Sequence, residues 1–190
     1  MARGTGPSRP TRGPSDWLLD HRALLAAGRR ALDVASGDGR HALVVASWGL
    51  AVRAVDRDRA ALARLRAAAA RQGLVVETAV VDLERGAVSL GEAAFGAVMV
   101  FRYLHRPLFP ALVRALEPGG VLLYETFTRA HAAVRPRPSN PAFLLAPGEL
   151  PTLVAGLEIL DAREGEVRGA HVASIAARKP RRAGRRDGVG

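Results

Sequence analysis

Three aspartates stand at the ends of short apolar runs, and a glycine turn follows the first of them. The segment Leu32-Asp33-Val34-Ala35-Ser36-Gly37-Asp38-Gly39-Arg40-His41-Ala42 reads as a strand, a tight turn and the start of a helix. Gly37 and Gly39 permit positive φ and put no side chain between backbone and ligand. Taken alone, Gly37-x-Gly39-x-x-Ala42 also fits a dinucleotide fingerprint. The neighbouring charges separate two kinds of ligand. A pyrophosphate at this turn would meet Asp33 and Asp38, in a site whose task is to attract anions. A ligand carrying a sulfonium and an ammonium would be drawn by the same carboxylates. Asp33 could also serve only to cap the loop.

Asp56 follows the run Ala51–Val55 and lies 17 residues after Gly39. A carboxylate there can accept two strong hydrogen bonds from ribose hydroxyls. It could instead, or as well, cap the helix that follows. Arg57 would flank an adenine. Asp82-Leu83 closes the next run, where the carboxylate can accept from an adenine amino group and Leu83 can pack on the ring. Ligands of open α/β sheets bind at this edge. The cofactor expected is S-adenosylmethionine, held by Asp33, Ala35, Ser36, Gly37, Gly39, Asp56, Arg57, Asp82, Leu83 and Phe101.

The acceptor side is carried by Phe101-Arg102-Tyr103-Leu104-His105-Arg106, after the fourth strand. Tyr103 could hydrogen-bond an acceptor or simply pack. His105 could be a general base or a helix cap. Arg102 and Arg106 could hold an anionic acceptor or stay solvated. Tyr103 and His105 are the candidate catalytic residues. The other histidines show no metal-ligand spacing, and no metal is expected. Trp17 and His21 could form a lid over the cofactor, although packing on the sheet is favoured.

The elements that position these residues alternate in βαβ order. A helix runs from an N-cap at Ser15 to about Ala27, and strands cover 31–34, 51–55, 74–81, 95–101 and 121–127. Helices cover 39–48, 57–72, 107–116 and 148–155, and 129–140 is a proline-marked loop. Segments 157–163 and 171–178 form a hairpin around Gly165 and Gly169. With these motifs the chain resembles the class I S-adenosylmethionine-dependent methyltransferases, from about Trp17 to Arg178. Ala31–Ala42 is similar to the family's first motif, and Asp56 and Asp82 to its second- and third-strand acidic positions. Phe95–Phe101 is similar to its fourth strand, and Glu117-Pro118-Gly119-Gly120-Val121 to its turn before the fifth. The small stand-alone branch related to tellurite-resistance methyltransferases looks most alike. Ala35 departs from the usual glycine. The resemblance implies an α/β, Rossmann-like, seven-stranded and mostly parallel sheet. Its order would be 3-2-1-4-5-7-6, with strand 7 antiparallel and helices on both faces.

The chain has 190 residues, no cysteine and a net charge of +10. Residues 1–14 hold three arginines and no acid, and 178–190 hold six cations against Asp187, so eight of the ten net charges sit at the ends. One domain is expected at 15–178, between a disordered basic segment at 1–14 and an Arg-rich tail at 179–190. The tail has no aromatic residue to stack on bases, which weighs against nucleic acid as partner. No apolar run nears 18 residues, so no membrane span is expected, and the protein is read as cytoplasmic. The expected activity is methyl transfer to a small-molecule acceptor. The alternatives are an RNA or protein methyltransferase anchored by the tail, an NAD-dependent oxidoreductase, and a non-catalytic cofactor-binding protein. Oligomeric state is left open.

Overall fold

The computed structural model describes residues 13–26, 28–135, 137–138 and 140–181. Most of the two basic ends therefore lies outside the described residues, as do Ala27, Pro136 and Ser139. Seven strands form one sheet: β1 (Arg30–Val34), β2 (Ala51–Asp56), β3 (Val76–Val80), β4 (Phe95–Phe101), β5 (Leu116–Phe127), β6 (Glu158–Val167) and β7 (Ala170–Arg178). Their order is β3-β2-β1-β4-β5-β7-β6. The first five are parallel, and β7 runs antiparallel to both β5 and β6. This is the topology that the resemblance implies.

The helices are α1 (Asp16–Asp20), α2 (Arg40–Ser47), α3 (Arg59–Arg71), α4 (Phe109–Ala115), α5 (His131–Val134) and α6 (Glu149–Leu153). Every residue of β4 is buried, as suits a central strand covered on both faces. Its side chains alternate between two cores. Val98 and Val100 join Leu32, Leu112, Leu122 and Tyr124 on one face, and Ala97, Met99 and Phe101 join Trp17, Val45, Leu65 and Leu123 on the other.

Several boundaries differ from the sequence reading: β5 begins at Leu116 and not at 121, β3 is shorter at both ends, α5 lies within the expected loop 129–140, and three further differences have visible reasons. The first helix stops at Asp20 and gives way to a 3-10 turn at Arg22–Leu24, because the His21 ring bonds the Trp17 carbonyl at 2.8 Å. The third helix starts later than expected, because Asp58, not Asp56, caps it by accepting from the Ala60 and Ala61 N–H groups. The hairpin turns at Arg168-Gly169, both at positive φ, so Gly165 lies inside β6. Lys179, grouped with the tail on charge, is fixed to the fold. Its ammonium donates to the Val113 and Leu116 carbonyls at 2.9 and 2.7 Å.

Candidate active site

The turn from β1 into α2 has three residues in the left-handed region: Ala35 at φ 55°, Gly37 at 54° and Gly39 at 73°. The two glycines do different work. A Cβ on Gly39 would collide with the Leu65 side chain of α3, so this glycine lets α2 and α3 pack. A Cβ on Gly37 would meet nothing within 4 Å, so the space above it is open to a ligand. Ala35 takes the same conformation with a side chain, at a cost of about 1–2 kcal/mol.

Asp56 lies at the end of β2 and reaches across to this turn. Its Oδ2 accepts from the Gly37 N–H at 2.8 Å and its Oδ1 from the Asp58 N–H at 2.8 Å. An ionised carboxylate has about four acceptor positions, so about two remain for a ligand. Beside it opens a cavity of about 380 Å³, walled by Ala35, Asp56, Asp82, Leu83, Leu104 and Phe127. Arg57, Glu84, Arg102, Tyr103 and Phe143 also border it. Arg57 pairs with Glu84 at 3.9 Å, and Asp82 accepts from the Glu84 N–H and pairs with Arg85.

The structure thus brings Ala35, Asp56, Arg57, Asp82, Leu83 and Tyr103 to one cavity, and the other sequence candidates elsewhere. Asp33 is 1 % exposed and lies beneath the turn, where its Oδ2 accepts the Ala42 N–H of α2 at 3.1 Å. Burial pushes its pKa up to about 7, against the opposing effects of the Ala42 N–H and Arg40. Gly39 and Gly37 shape the turn as described, and Ser36 is buried with a hydroxyl that has no hydrogen-bond partner. Phe101 is buried on the far face, stacked on His41 with centroids 4.0 Å apart. His105 lines a smaller cavity of about 200 Å³, which adjoins the first at Leu83, with Gly86, Leu108 and Arg114.

Tyr103 is held by its backbone. The buried Tyr124 hydroxyl donates to the Tyr103 carbonyl at 2.7 Å. The Tyr103 hydroxyl is itself buried and has no partner. Burial, then the Glu84 charge, pushes its pKa up to about 12, so it is a donor and not a phenolate at neutral pH. Arg106 braces the wall: it forms a bidentate pair with Glu149 and donates to the Ala142 and Leu144 carbonyls. Trp17 packs as favoured, 2 % exposed, with its ring N–H on the Ile175 carbonyl.

A second cavity, about 340 Å³, was not legible in the sequence. Ser15, Asp16, Arg40, Arg102, Glu125 and Arg168 line it, and Arg102 borders both cavities. Glu125 is its buried anchor. It accepts from Ser15 Oγ at 2.8 Å and Ser174 Oγ at 3.0 Å, and Arg163 stands at 3.4 Å. The one signal for it was an acid inside the apolar run Val121–Phe127, since a charge so placed needs partners. Ser15 also donates its backbone N–H to His41 Nε2 at 3.2 Å. Burial first, then the Arg40 and Arg102 charges, lower the His41 pKa to about 3, so the ring is a neutral acceptor. Among the described residues no group of three His, Cys, Asp or Glu could hold a metal. No described helix is long and apolar enough to cross a membrane.

The first cavity fits S-adenosylmethionine on its own chemistry. Asp56 offers acceptors for ribose hydroxyls, Leu83 and Leu104 offer apolar contact, and the Tyr103 hydroxyl is an unused donor. The volume lies in the range of about 300–1,000 Å³ usual for small-ligand clefts. Comparison with known proteins agrees. Residues 31–120 match the family described as "Methyltransferase domain". A ribosomal protein L11 methyltransferase from Sorangium cellulosum (strain So ce56) is 34 % identical over 161 residues, 74 % of this chain and 49 % of its own length. The chain thus spans about half of that relative. TehB from Haemophilus influenzae superposes with a TM-score of 0.73 at 19 % identity, over 87 % of this chain and 62 % of TehB. The [4+2]-cyclase SpnF does so with 0.69 at 21 % identity, over 86 % and 79 %. At such identities these structures show a shared fold. Residues 31–120 thus match a methyltransferase domain in sequence, and most of the chain shares its fold with TehB and SpnF.

Proposed function

We propose that this protein transfers the methyl group of S-adenosylmethionine to a small-molecule acceptor. The observation that carries the reading is the cavity at the C-terminal edge of the sheet, where Asp56 ends β2, Asp82 lies two residues past the end of the neighbouring β3, and apolar side chains complete the lining. Asp56 would hold the ribose, Leu83 and Leu104 the adenine, and the open backbone at Gly37 would let the donor approach. When bound, the donor would supply an activated methyl group, which an acceptor lone pair would take while the C–S electron pair stayed on sulfur and any proton on the acceptor atom passed to water. What remains for the protein is alignment, and fixed walls supply it. Tyr103, its carbonyl clamped by Tyr124, would present its hydroxyl as a donor within the cavity. A strong base is needed only if the acceptor must lose a proton first. His105 fills that role only if the acceptor extends towards its smaller cavity. A cytoplasmic location and a single domain at 15–178 with basic ends belong to the same proposal.

Protein as acceptor is the second reading, favoured by the name of the Sorangium cellulosum relative. Fold alone does not choose, since a cyclase shares it. The test is to incubate the purified protein with methyl-labelled donor and a fractionated extract. Label in small molecules is expected. Label in protein or RNA would overturn the choice of acceptor, and absence of donor binding by calorimetry would overturn methyl transfer itself.

A further inference from the structure

We propose that the second cavity is the acceptor site, and that it selects an acceptor bearing a carboxylate or a similar oxyanion. This rests on the methyl-transfer reading of the first cavity and adds the substrate class. Three arginines line the second cavity from three different elements: Arg40 at the start of α2, Arg102 after β4 and Arg168 at the β6–β7 turn. Its two carboxylates are already engaged. Glu125 accepts from Ser15 and Ser174 and stands against Arg163, and Asp16 pairs with Arg168 at 2.6 Å. His41, beside this wall, adds no charge, because it is neutral. Among its described lining residues the cavity therefore has three arginines against two carboxylates, and both carboxylates are already engaged. A guanidinium has five N–H donors in a planar fork that matches a carboxylate, so contacts to the protein do not exhaust it.

Arg102 ties this cavity to the first. It is a non-glycine residue at φ 60°, a conformation that costs energy and persists where the surroundings fix it. Its N–H donates to the Glu125 carbonyl at 2.7 Å, and its guanidinium lies 5.2 Å from the Phe127 ring centroid. Arg102 borders both cavities, so an anion held by Arg40 and Arg168 would lie next to the donor side. The first cavity, by contrast, has three carboxylates, Asp56, Asp82 and Glu84, against two arginines, Arg57 and Arg102, so its lining favours an anionic ligand less.

The test uses benzoate and its neutral isostere benzamide as probes on the full chain, followed by ligand-observed NMR. Benzoate should bind and benzamide should not. Arg168→Gln, at an exposed position, should weaken benzoate binding about tenfold or more, as loss of a charge-assisted contact does. Arg40→Gln should act in the same direction, and both variants should keep the affinity of the parent protein for S-adenosylhomocysteine. Equal binding of the two probes, or benzoate binding unchanged in both variants, would overturn the proposal. So would a loss of S-adenosylhomocysteine affinity in both variants with 5′-methylthioadenosine affinity kept, for the arginines would then hold the amino-acid arm of the donor. Failure of S-adenosylhomocysteine to bind the parent protein would instead sink the methyl-transfer reading, separately from the benzoate result.

Discussion

The two cavities at the edge of the sheet are close in size, about 380 and 340 Å³, and opposite in chemistry. One has apolar walls with carboxylates at the ends of β2 and β3. The other is lined by arginines around an engaged, buried glutamate. They also differ in how the chain builds them. The first takes most of its residues from short runs at 56–57, 81–84 and 102–104, each at the end of a strand. The second joins residues 13–16, 40, 102, 125, 167–168 and 172, drawn from both ends and the middle of the described chain. A site built from strand ends is written in local motifs. A site built from a loop, a helix start and a hairpin exists only once the sheet has closed.

Substitutions can break or sharpen this contrast. The largest effect is expected at Gly39→Ala, which forces a side chain into left-handed backbone and against Leu65. Chemical denaturation should show a loss of about 2–4 kcal/mol, from strain and overpacking together. Gly37→Ala should cost less stability, about 1–2 kcal/mol, because it meets no neighbour. Its main effect should be on donor binding. Equal destabilisation by the two would show that the turn does not divide packing from ligand approach.

Asp56→Ala comes next. Titration calorimetry should show donor affinity reduced by about 1.5–3 kcal/mol, the range for hydrogen bonds to a charged group. Benzoate binding should not change, since Asp56 lines only the first cavity. A joint loss would mean that the cavities act as one.

Asp33 gives a pH dependence. Its folded pKa, about 7, is above the ordinary value of 3.8, so the protonated form is favoured by folding. Its contribution is fully present below about pH 3.8 and is lost as pH rises through about 7. Asp33→Asn should therefore flatten the part of the stability–pH curve between those values. An unaltered curve would show that Asp33 is ionised in the folded protein.

Smaller still is Ala35→Gly, which relieves a left-handed alanine and should raise stability by about 1 kcal/mol. A lower melting temperature would contradict the strain. Deleting residues 182–190 should change neither melting temperature nor donor affinity, for the segment has no apolar face to bury. A large fall in either would place the tail within the working domain.

Much of the donor side was legible because strand, turn and carboxylate follow one another in the sequence. Asp56 and Asp82 needed only their positions after apolar runs. Asp33 shows the limit of that logic. Its charge suggested a partner for a sulfonium, yet the fold sets it under the turn, on the Ala42 N–H. Phe101 and His105 show another limit. Strand alternation sends Phe101 to the far face against His41, and the 3-10 turn at Arg106–Leu108 carries His105 to a different cavity. Arg168 had no local signal at all, because only the β6–β7 hairpin brings it across 152 positions to Asp16.

The place of β7 has a consequence for the growing chain. It is the last of the described strands along the chain, yet it lies inside the sheet between β5 and β6. The parallel part can assemble as soon as β5 exists, but the outer edge of β5 then has unpaired amides and carbonyls along Val121–Phe127. Open, apolar strand edges of this kind recruit other chains. The β6–β7 hairpin is local in sequence, so it can form by itself and dock as a unit. The sheet cannot close before residue 178 has been synthesised. Until then the β5 edge stays open, and a chain halted within 158–178 would keep it so.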